Sequence, residues 1–350
     1  MSKRNLEQRL NDGPVICAEG YLFEMERRGY LQAGSFVPEV AMEHPEVLRQ
    51  LHRDFCFCGS DVAVAFTYNG HREKMRLVGK EDLLEPLNRQ ALRLAKEVAD
   101  AQQPEPALVA GNISNTNIYD PDDPASQREV RSMFAEMAGW AVEEGADFIL
   151  AETMYYHGEA LLALEAVREA GLPAVVTVGL MGENVLRDGW SAEASCKALE
   201  DQGAAVVGMN CFRGPATMMS YLQQIRATVR GPVAGLPVPF RTTDSYPTFF
   251  NLPDPGNTAP LPHPTPFPTA LEPLSCNRYE LAQWAAEAYA EGVRYLGLCC
   301  GATPAQIRAV AEAVGKVTPA SQYSPDMSKH FLFGSDTRLR QHMTNYAHKA

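Results

Sequence analysis

Short apolar runs rich in Val, Ile and Leu recur along this chain, each followed by a longer stretch in which apolar positions return every three or four residues. The short runs predict strands at Val15–Ala18, Asp61–Thr67, Ala107–Gly111, Asp147–Ala151, Pro173–Val178, Ala204–Asn210, Pro232–Leu236 and Val293–Leu298. None alternates cleanly with charge, so both faces of each strand are read as buried, the mark of a parallel sheet covered by helices. The longer stretches predict helices over Pro45–Phe57, Pro86–Ala101, Gln127–Glu144, Gly158–Ala170, Ala192–Gln202, Thr217–Val229, Arg278–Glu291 and Pro304–Val314. Gly145, Gly171, Gly203 and Gly292 fall between a helix and the next strand, where positive φ closes the last helical turn. Thr303 is placed to cap the last helix, with Pro304 in its first turn.

Eight strand–helix units in this order predict an α/β fold, a single (β/α)8 TIM barrel over residues 1–318, with reactive groups at the C-terminal ends of the strands. Residues 237–277 interrupt the pattern: Pro253, Pro255, Pro260, Pro262, Pro264, Pro266 and Pro268 leave no helical period. This predicts a long loop after the seventh strand, either a lid or contact surface, or an excursion packed under a neighbour. Residues 319–350 are polar and mixed, and are read as a C-terminal tail that packs on the barrel or on a partner subunit.

Composition narrows the function. With 350 residues and 45% hydrophobic content the chain can bury a full barrel core. A formal net charge of -12, with both signs interspersed, argues against a nucleic-acid surface and for small-molecule chemistry. The N-terminal residues lack the apolar core of a signal peptide, and no stretch approaches the length of a membrane span, so a cytoplasmic protein without membrane or nucleic-acid partners is expected. The eight cysteines then read as core thiols or metal ligands rather than disulfides.

Three of them fall at predicted strand ends: Cys211 after the sixth strand, Cys299 and Cys300 after the eighth. Three thiolates around one ion leave a fourth position for a reacting atom, which is the ligand count of a catalytic zinc site rather than a structural one. Soft ligands of this kind suit zinc, and a sulfur substrate brought to such an ion loses its proton at neutral pH. A metal-dependent hydrolase on the same barrel would call for His and Asp at these ends instead. Cys56 and Cys58 form a CxC pair at a predicted helix end; Cys17, Cys196 and Cys276 have no partner at ligand spacing and are read as core or loop thiols. His44 and His52 are read as structural, while His71 lies nearer the second strand's mouth, within reach of a donor contact.

The runs Gly208-Met-Asn-Cys211 and Gly297-Leu-Cys-Cys-Gly-Ala-Thr-Pro304 resemble the two zinc motifs of the homocysteine S-methyltransferase family. The segments Glu26-Arg-Arg-Gly-Tyr30, Pro38-Glu39, Glu43-His-Pro-Glu46, Arg49-Gln-Leu-His-Arg53, Phe66-Thr67, Ala151-Glu152, Leu271-Glu-Pro273 and Gly292-Val-Arg-Tyr295 are similar to the betaine-using members in particular. The likeness runs over roughly residues 14–315. It implies a zinc enzyme that binds homocysteine sulfur and receives a methyl group from an onium donor, giving methionine. Zn2+ on Cys211, Cys299 and Cys300 is implied, with Glu152 holding the homocysteine amino group unless it serves as an Arg partner. Thr67 offers a hydroxyl or backbone contact near the same substrate; Asn210 either orients Cys211 or satisfies strand-end backbone.

The chain departs from the family at the donor side. Ala18-Glu19-Gly20 stands where the family shows Asp-Gly-Gly, and Glu19 is expected to replace the acid, with Gly20 beside it. Tyr68-Asn69 stands where an aromatic pair ends in tyrosine, and Phe36 replaces a tryptophan. Phe36 and Tyr68 are expected to form part of an aromatic cage, to which Tyr155, Tyr156, Trp190, Phe249 and Phe250 add walls or mere packing. Glycine betaine is the leading donor; proline betaine, dimethylsulfoniopropionate and S-methylmethionine are alternatives, as is a non-catalytic zinc-binding homologue. Assembly is left open, a homo-oligomer included.

Overall fold

The computed structural model describes residues 3–34, 37–256, 260–261 and 263–340. Eight parallel strands close into a barrel in sequence order. They are β1 (Val15–Ala18), β2 (Val62–Val64), β3 (Leu108–Ser114), β4 (Phe148–Met154), β5 (Ala174–Val178), β6 (Val206–Asn210), β7 (Val233–Leu236) and β8 (Val293–Leu298). Closure runs through β1 and β8, with Val15 paired to Tyr295 and Ala18 to Leu298. All but one of the strand residues are buried, Arg294 being the half-buried exception, as two covered faces require.

One long helix follows each strand: Pro45–Phe57, Leu84–Asp100, Pro124–Glu143, His157–Glu169, Ala192–Asp201, Pro215–Thr228, Arg278–Ala290 and Pro304–Ala313. Thr303 caps the last of these, its side chain accepting from the Gln306 N–H in a capping box. Gly145, Gly171, Gly203 and Gly292 all have positive φ, as the turns they occupy demand. Among the described residues no helix is long and apolar enough to cross a membrane.

Three features were not legible as regular pattern. A helix at Leu6–Asp12 packs Leu6 and Leu10 beneath the barrel, and Arg4 binds Glu105 just ahead of β3. Short helices at Tyr21–Arg27 and Arg72–Leu77 begin soon after β1 and β2 and frame the mouth. The Pro-rich segment carries, among its described residues, two short 3-10 turns, Phe249–Asn251 and Glu272–Leu274, and two isolated β-bridges, and folds onto the mouth. Its Val238, Phe240, Phe249, Leu252 and Leu271 join Phe23, Phe212, Cys211 and Cys299 in a second apolar cluster, separate from the main core. The segment is therefore a wall over the strand ends. Beyond the barrel, Ala320 is buried and its carbonyl accepts from Arg308, so the start of the tail packs on the helix after β8.

Candidate metal centre and its two cavities

The ends of β6 and β8 bring Cys211, Cys299 and Cys300 together. Their sulfurs all lie within 4.8 Å of one another, with Cys299 and Cys300 3.9 Å apart. Tetrahedral zinc–thiolate bonds of about 2.3 Å put neighbouring sulfurs about 3.8 Å apart, so this donor set fits the ion. Its electrostatics point the same way. The Cys299 and Cys300 thiols donate toward Cys211 and, against the cost of its burial, hold it well below the ordinary thiol range; Cys299, by burial, and Cys300, by its bond to Cys211, are pushed well up. Three such groups cannot all ionise in contact without a cation among them.

The backbone is bent to make this arrangement. Cys211 and Phe212 both adopt left-handed φ, +60° and +57°, costing about 1–2 kcal/mol each for residues with a Cβ. The Cys211 N–H donates to the Leu236 carbonyl at 2.9 Å, extending the β6–β7 ladder by one residue and holding the turn. Thr153, at the end of β4, is left-handed as well (φ +60°), with its N–H donating to Asn210 Oδ1 at 2.8 Å. Unusual backbone at three neighbouring positions of one strand-end cluster marks a built site.

Beside the thiols lie two buried carboxylates. Glu19, Glu152 and Cys299 also come within 4.8 Å of one another. Asn210, fully buried, donates to Glu152 Oε2 at 2.7 Å and to Glu19 Oε2 at 3.1 Å, while its own Oδ1 accepts from Thr153 and Thr177. Asn112 donates to the other oxygen of Glu152 at 2.5 Å. Burial, opposed by Asn112, pushes Glu152 up to about 7. Burial and the Glu152 charge push Glu19 well above the carboxylate range, and its Oε1 is buried with no hydrogen-bond partner. Among the described residues no Lys, Arg or His forms an ion pair with either carboxylate, and an ammonium group between the two would favour both charged forms.

Two cavities open from this centre. The smaller, about 30 Å³, is lined by Glu19, Glu152, Asn112, Tyr21 and Phe66. The larger, about 250 Å³, is walled by Phe23, Tyr68, Tyr155 and Phe212, with Phe249, Phe250 and Phe267 contributed by the Pro-rich segment. Leu22, Tyr68 and Cys300 line both, so the two cavities meet at the thiols.

The expected site residues divide accordingly. Cys211, Cys299, Cys300, Glu152, Glu19 and Asn210 converge on one centre, and Asn210 does more than serve backbone: it ties both carboxylates together. Tyr68 and Asn69 line the larger cavity. Thr67 does not line either cavity at the thiols; its hydroxyl donates to the Asn112 carbonyl at 2.7 Å, fixing the loop that presents its neighbours Phe66 and Tyr68. Gly20 also touches neither, and it has a packing reason to be glycine: a Cβ there would lie 2.4 Å from the Ala302 carbonyl oxygen. Phe36 lies outside the described residues.

Tyr155, Phe249 and Phe250 are walls, whereas Trp190 stacks on His157 at 4.0 Å and Tyr156 packs on Tyr119, away from the cavity. His71 is not a donor contact: its Nδ1 accepts from the Lys74 N–H as a helix cap. His52 accepts from or donates to the Tyr21 hydroxyl at 2.9 Å, a structural role, and Cys56 is buried at its helix end. Asn112, Asn115, Phe212 and Phe267 were missed, since nothing in their local sequence separates them from ordinary strand-end and loop residues.

Fold and centre together define a (β/α)8 barrel protein with a three-thiol, metal-competent site at the strand ends. The chain belongs to the homocysteine S-methyltransferase family, whose model matches residues 17–314. Betaine–homocysteine S-methyltransferase 1 of Bos taurus is 34% identical over 339 residues, spanning 95% of this chain and 80% of that protein. The S-methylmethionine–homocysteine S-methyltransferase of Pongo abelii is also 34% identical, over 95% of this chain and 87% of its own length. Among solved structures, the oxidized form of the homocysteine methyltransferase MmuM from Escherichia coli superposes with a TM-score of 0.68 at 20% identity, covering 88% of this chain and 99% of that one. Its metallated form gives a TM-score of 0.66 at 20% identity, covering 87% and 97%.

Proposed function

We propose that this protein is a zinc-dependent methyltransferase that moves a methyl group from an onium donor, glycine betaine foremost, to homocysteine and yields methionine. The observation that carries the reading is the meeting of two unlike cavities at one cluster of thiols: a small one with paired carboxylates and a large one with aromatic walls. An amino-acid thiol suits the first and a cation with methyl groups suits the second.

Cys211, Cys299 and Cys300 are the residues that would hold zinc. When bound, zinc supplies the positive charge that keeps an adjacent thiol deprotonated at neutral pH. Glu152 and Glu19 receive the homocysteine ammonium, and Asn210 and Asn112 fix the angle at which they do so. The substrate sulfur then sits at the junction bordered by Tyr68, Leu22 and Cys300, facing the aromatic cavity. Tyr68, Tyr155, Phe212 and Phe250 wall the space for the onium group, where ring faces attract a cation, and exclude water from it. A sulfur lone pair attacks the methyl carbon in line with the leaving heteroatom; the new S–C bond forms as the methyl–N or methyl–S bond breaks, and that bond's electron pair leaves with the donor as a neutral amine or sulfide. The thiol proton is released to solvent. No acid is needed for the leaving group, so alignment is the protein's main task.

The test is methionine formation from homocysteine by zinc-loaded protein with glycine betaine, proline betaine, dimethylsulfoniopropionate and S-methylmethionine run in parallel. Turnover with any of them supports the reading and names the donor. Silence with all four while zinc is retained favours a non-catalytic zinc-binding homologue.

A further inference from the structure

The large cavity has two charged side chains in its lining, Glu26 and Lys74, and neither is paired with an opposite charge among the described residues. For Lys74 this is unusual for its segment. Arg72 is bound by Glu81 and Glu136 at 2.8 Å, Arg76 by Glu73 at 2.7 Å, and Lys80 by Glu39. Every neighbouring basic residue is neutralised by a carboxylate of the protein, and the one that faces the aromatic cavity is left free.

Its position is also fixed from below. The helix Arg72–Leu77 starts at His71, whose ring accepts the Lys74 N–H at 3.3 Å, and the preceding turn is clamped by Asn88 donating to the Gly70 carbonyl at 2.8 Å. Lys74 itself is half-buried, so its ammonium has lost part of its water without gaining a partner. The same cavity is lined by Cys211 and Cys300 of the thiol cluster. A donor whose methyl group must reach the thiols and whose other end is anionic meets, in the same lining, one unpaired cationic side chain for that anion, Lys74.

We infer that Lys74 is a specificity-determining residue that receives the carboxylate of the methyl donor. The inference rests on the proposed methyl transfer and names the side chain that recognises the carboxylate which all four proposed donors carry. Lys74 supplies a charge-assisted hydrogen bond to that carboxylate and sets the reach from it to the reacting methyl group. Glu26 faces the same space, so a donor with a single carboxylate is favoured over one with two.

The experiment compares wild-type and Lys74→Met zinc-loaded enzyme with dimethylsulfoniopropionate and with trimethylsulfonium, which carries the same kind of methyl group and no carboxylate. Lys74→Met should lose at least about tenfold more in kcat/KM with the carboxylated donor than with trimethylsulfonium, mainly through donor KM, and Lys74→Arg should recover part of it. Equal losses with both donors, or no loss with dimethylsulfoniopropionate, overturns the inference. Should wild-type enzyme make no methionine with these donors or with any of the four donors named above, the methyl-transfer reading fails, and Lys74 is judged by calorimetric binding of glycine betaine. Weakening of about tenfold or more in Lys74→Met supports the carboxylate contact, and unchanged affinity overturns it.

Discussion

Replacing Asn210 with Ala removes a side chain that hydrogen-bonds both carboxylates of the centre. The loss can be read from its bonds: Nδ2 no longer donates to Glu152 at 2.7 Å or Glu19 at 3.1 Å, and Oδ1 no longer accepts from the Thr153 N–H at 2.8 Å or the Thr177 hydroxyl at 2.9 Å. All lie in the interior, where each abandoned donor or acceptor costs about 1–3 kcal/mol. Relaxation and a trapped water recover part of this, so the variant should be destabilised by roughly 3–5 kcal/mol, a fall of roughly 4–7 °C in Tm for a chain of this length. Thr153 also loses the bond that holds its left-handed backbone. Glu19, whose Oε1 is already without a partner, would lose the amide donor on its Oε2, and homocysteine should bind about tenfold or more weakly. The assay is thermal unfolding together with calorimetric titration of homocysteine into zinc-loaded protein. A variant within about 1 kcal/mol of wild type that binds homocysteine equally well would refute the reasoning that this network sets the carboxylates.

Gly20→Ala should cost about 1–3 kcal/mol in denaturant unfolding and raise the homocysteine KM, because its Cβ would press on the Ala302 carbonyl at 2.4 Å and displace the adjoining Glu19. Phe250→Ala should lower kcat/KM for the donor by roughly 3- to 30-fold and raise donor KM more than homocysteine KM, as loss of one wall of an onium cavity requires. Glu105 is held near pH 2 chiefly by its bonds to Arg4, so its contribution to stability is full above its ordinary value near 4.5 and is lost as pH falls from there toward 2. Urea midpoints measured between pH 2 and 6 should show this decline, and Arg4→Met should flatten it.

The barrel was legible because its strands and helices carry separate periods. β1 and β8 begin and end where the apolar runs do, and the helix Pro45–Phe57 has the bounds its pattern predicts. The strands that were misjudged are those that lead into the site. β3 and β4 run three residues beyond their apolar stretches, through Asn112 to Ser114 and Glu152 to Met154, because polar residues at these ends are satisfied by one another rather than by water. β2 stops at Val64, short of Thr67, where the chain turns to present Phe66 and Tyr68. The thiols could be read from sequence since strand order alone puts the ends of β6 and β8 at one mouth. The partners of Asn210, the packing constraint on Gly20 and the place of Phe267 in the cavity wall depend on contacts between distant parts of the chain, for which local pattern carries no signal. Lys74 was hidden in the same way: within Arg72-Glu-Lys-Met-Arg76 it looks like any member of a solvated charge run, and only its neighbours' ion pairs set it apart.

The most direct test of the central claim is to measure, on the same samples, zinc retained after dialysis and methionine formed from homocysteine in wild type and in Cys211→Ser, Cys299→Ser and Cys300→Ser. The account predicts that each substitution lowers both together and that the triple variant has neither. Full methionine formation by a triple variant that holds no zinc would contradict it.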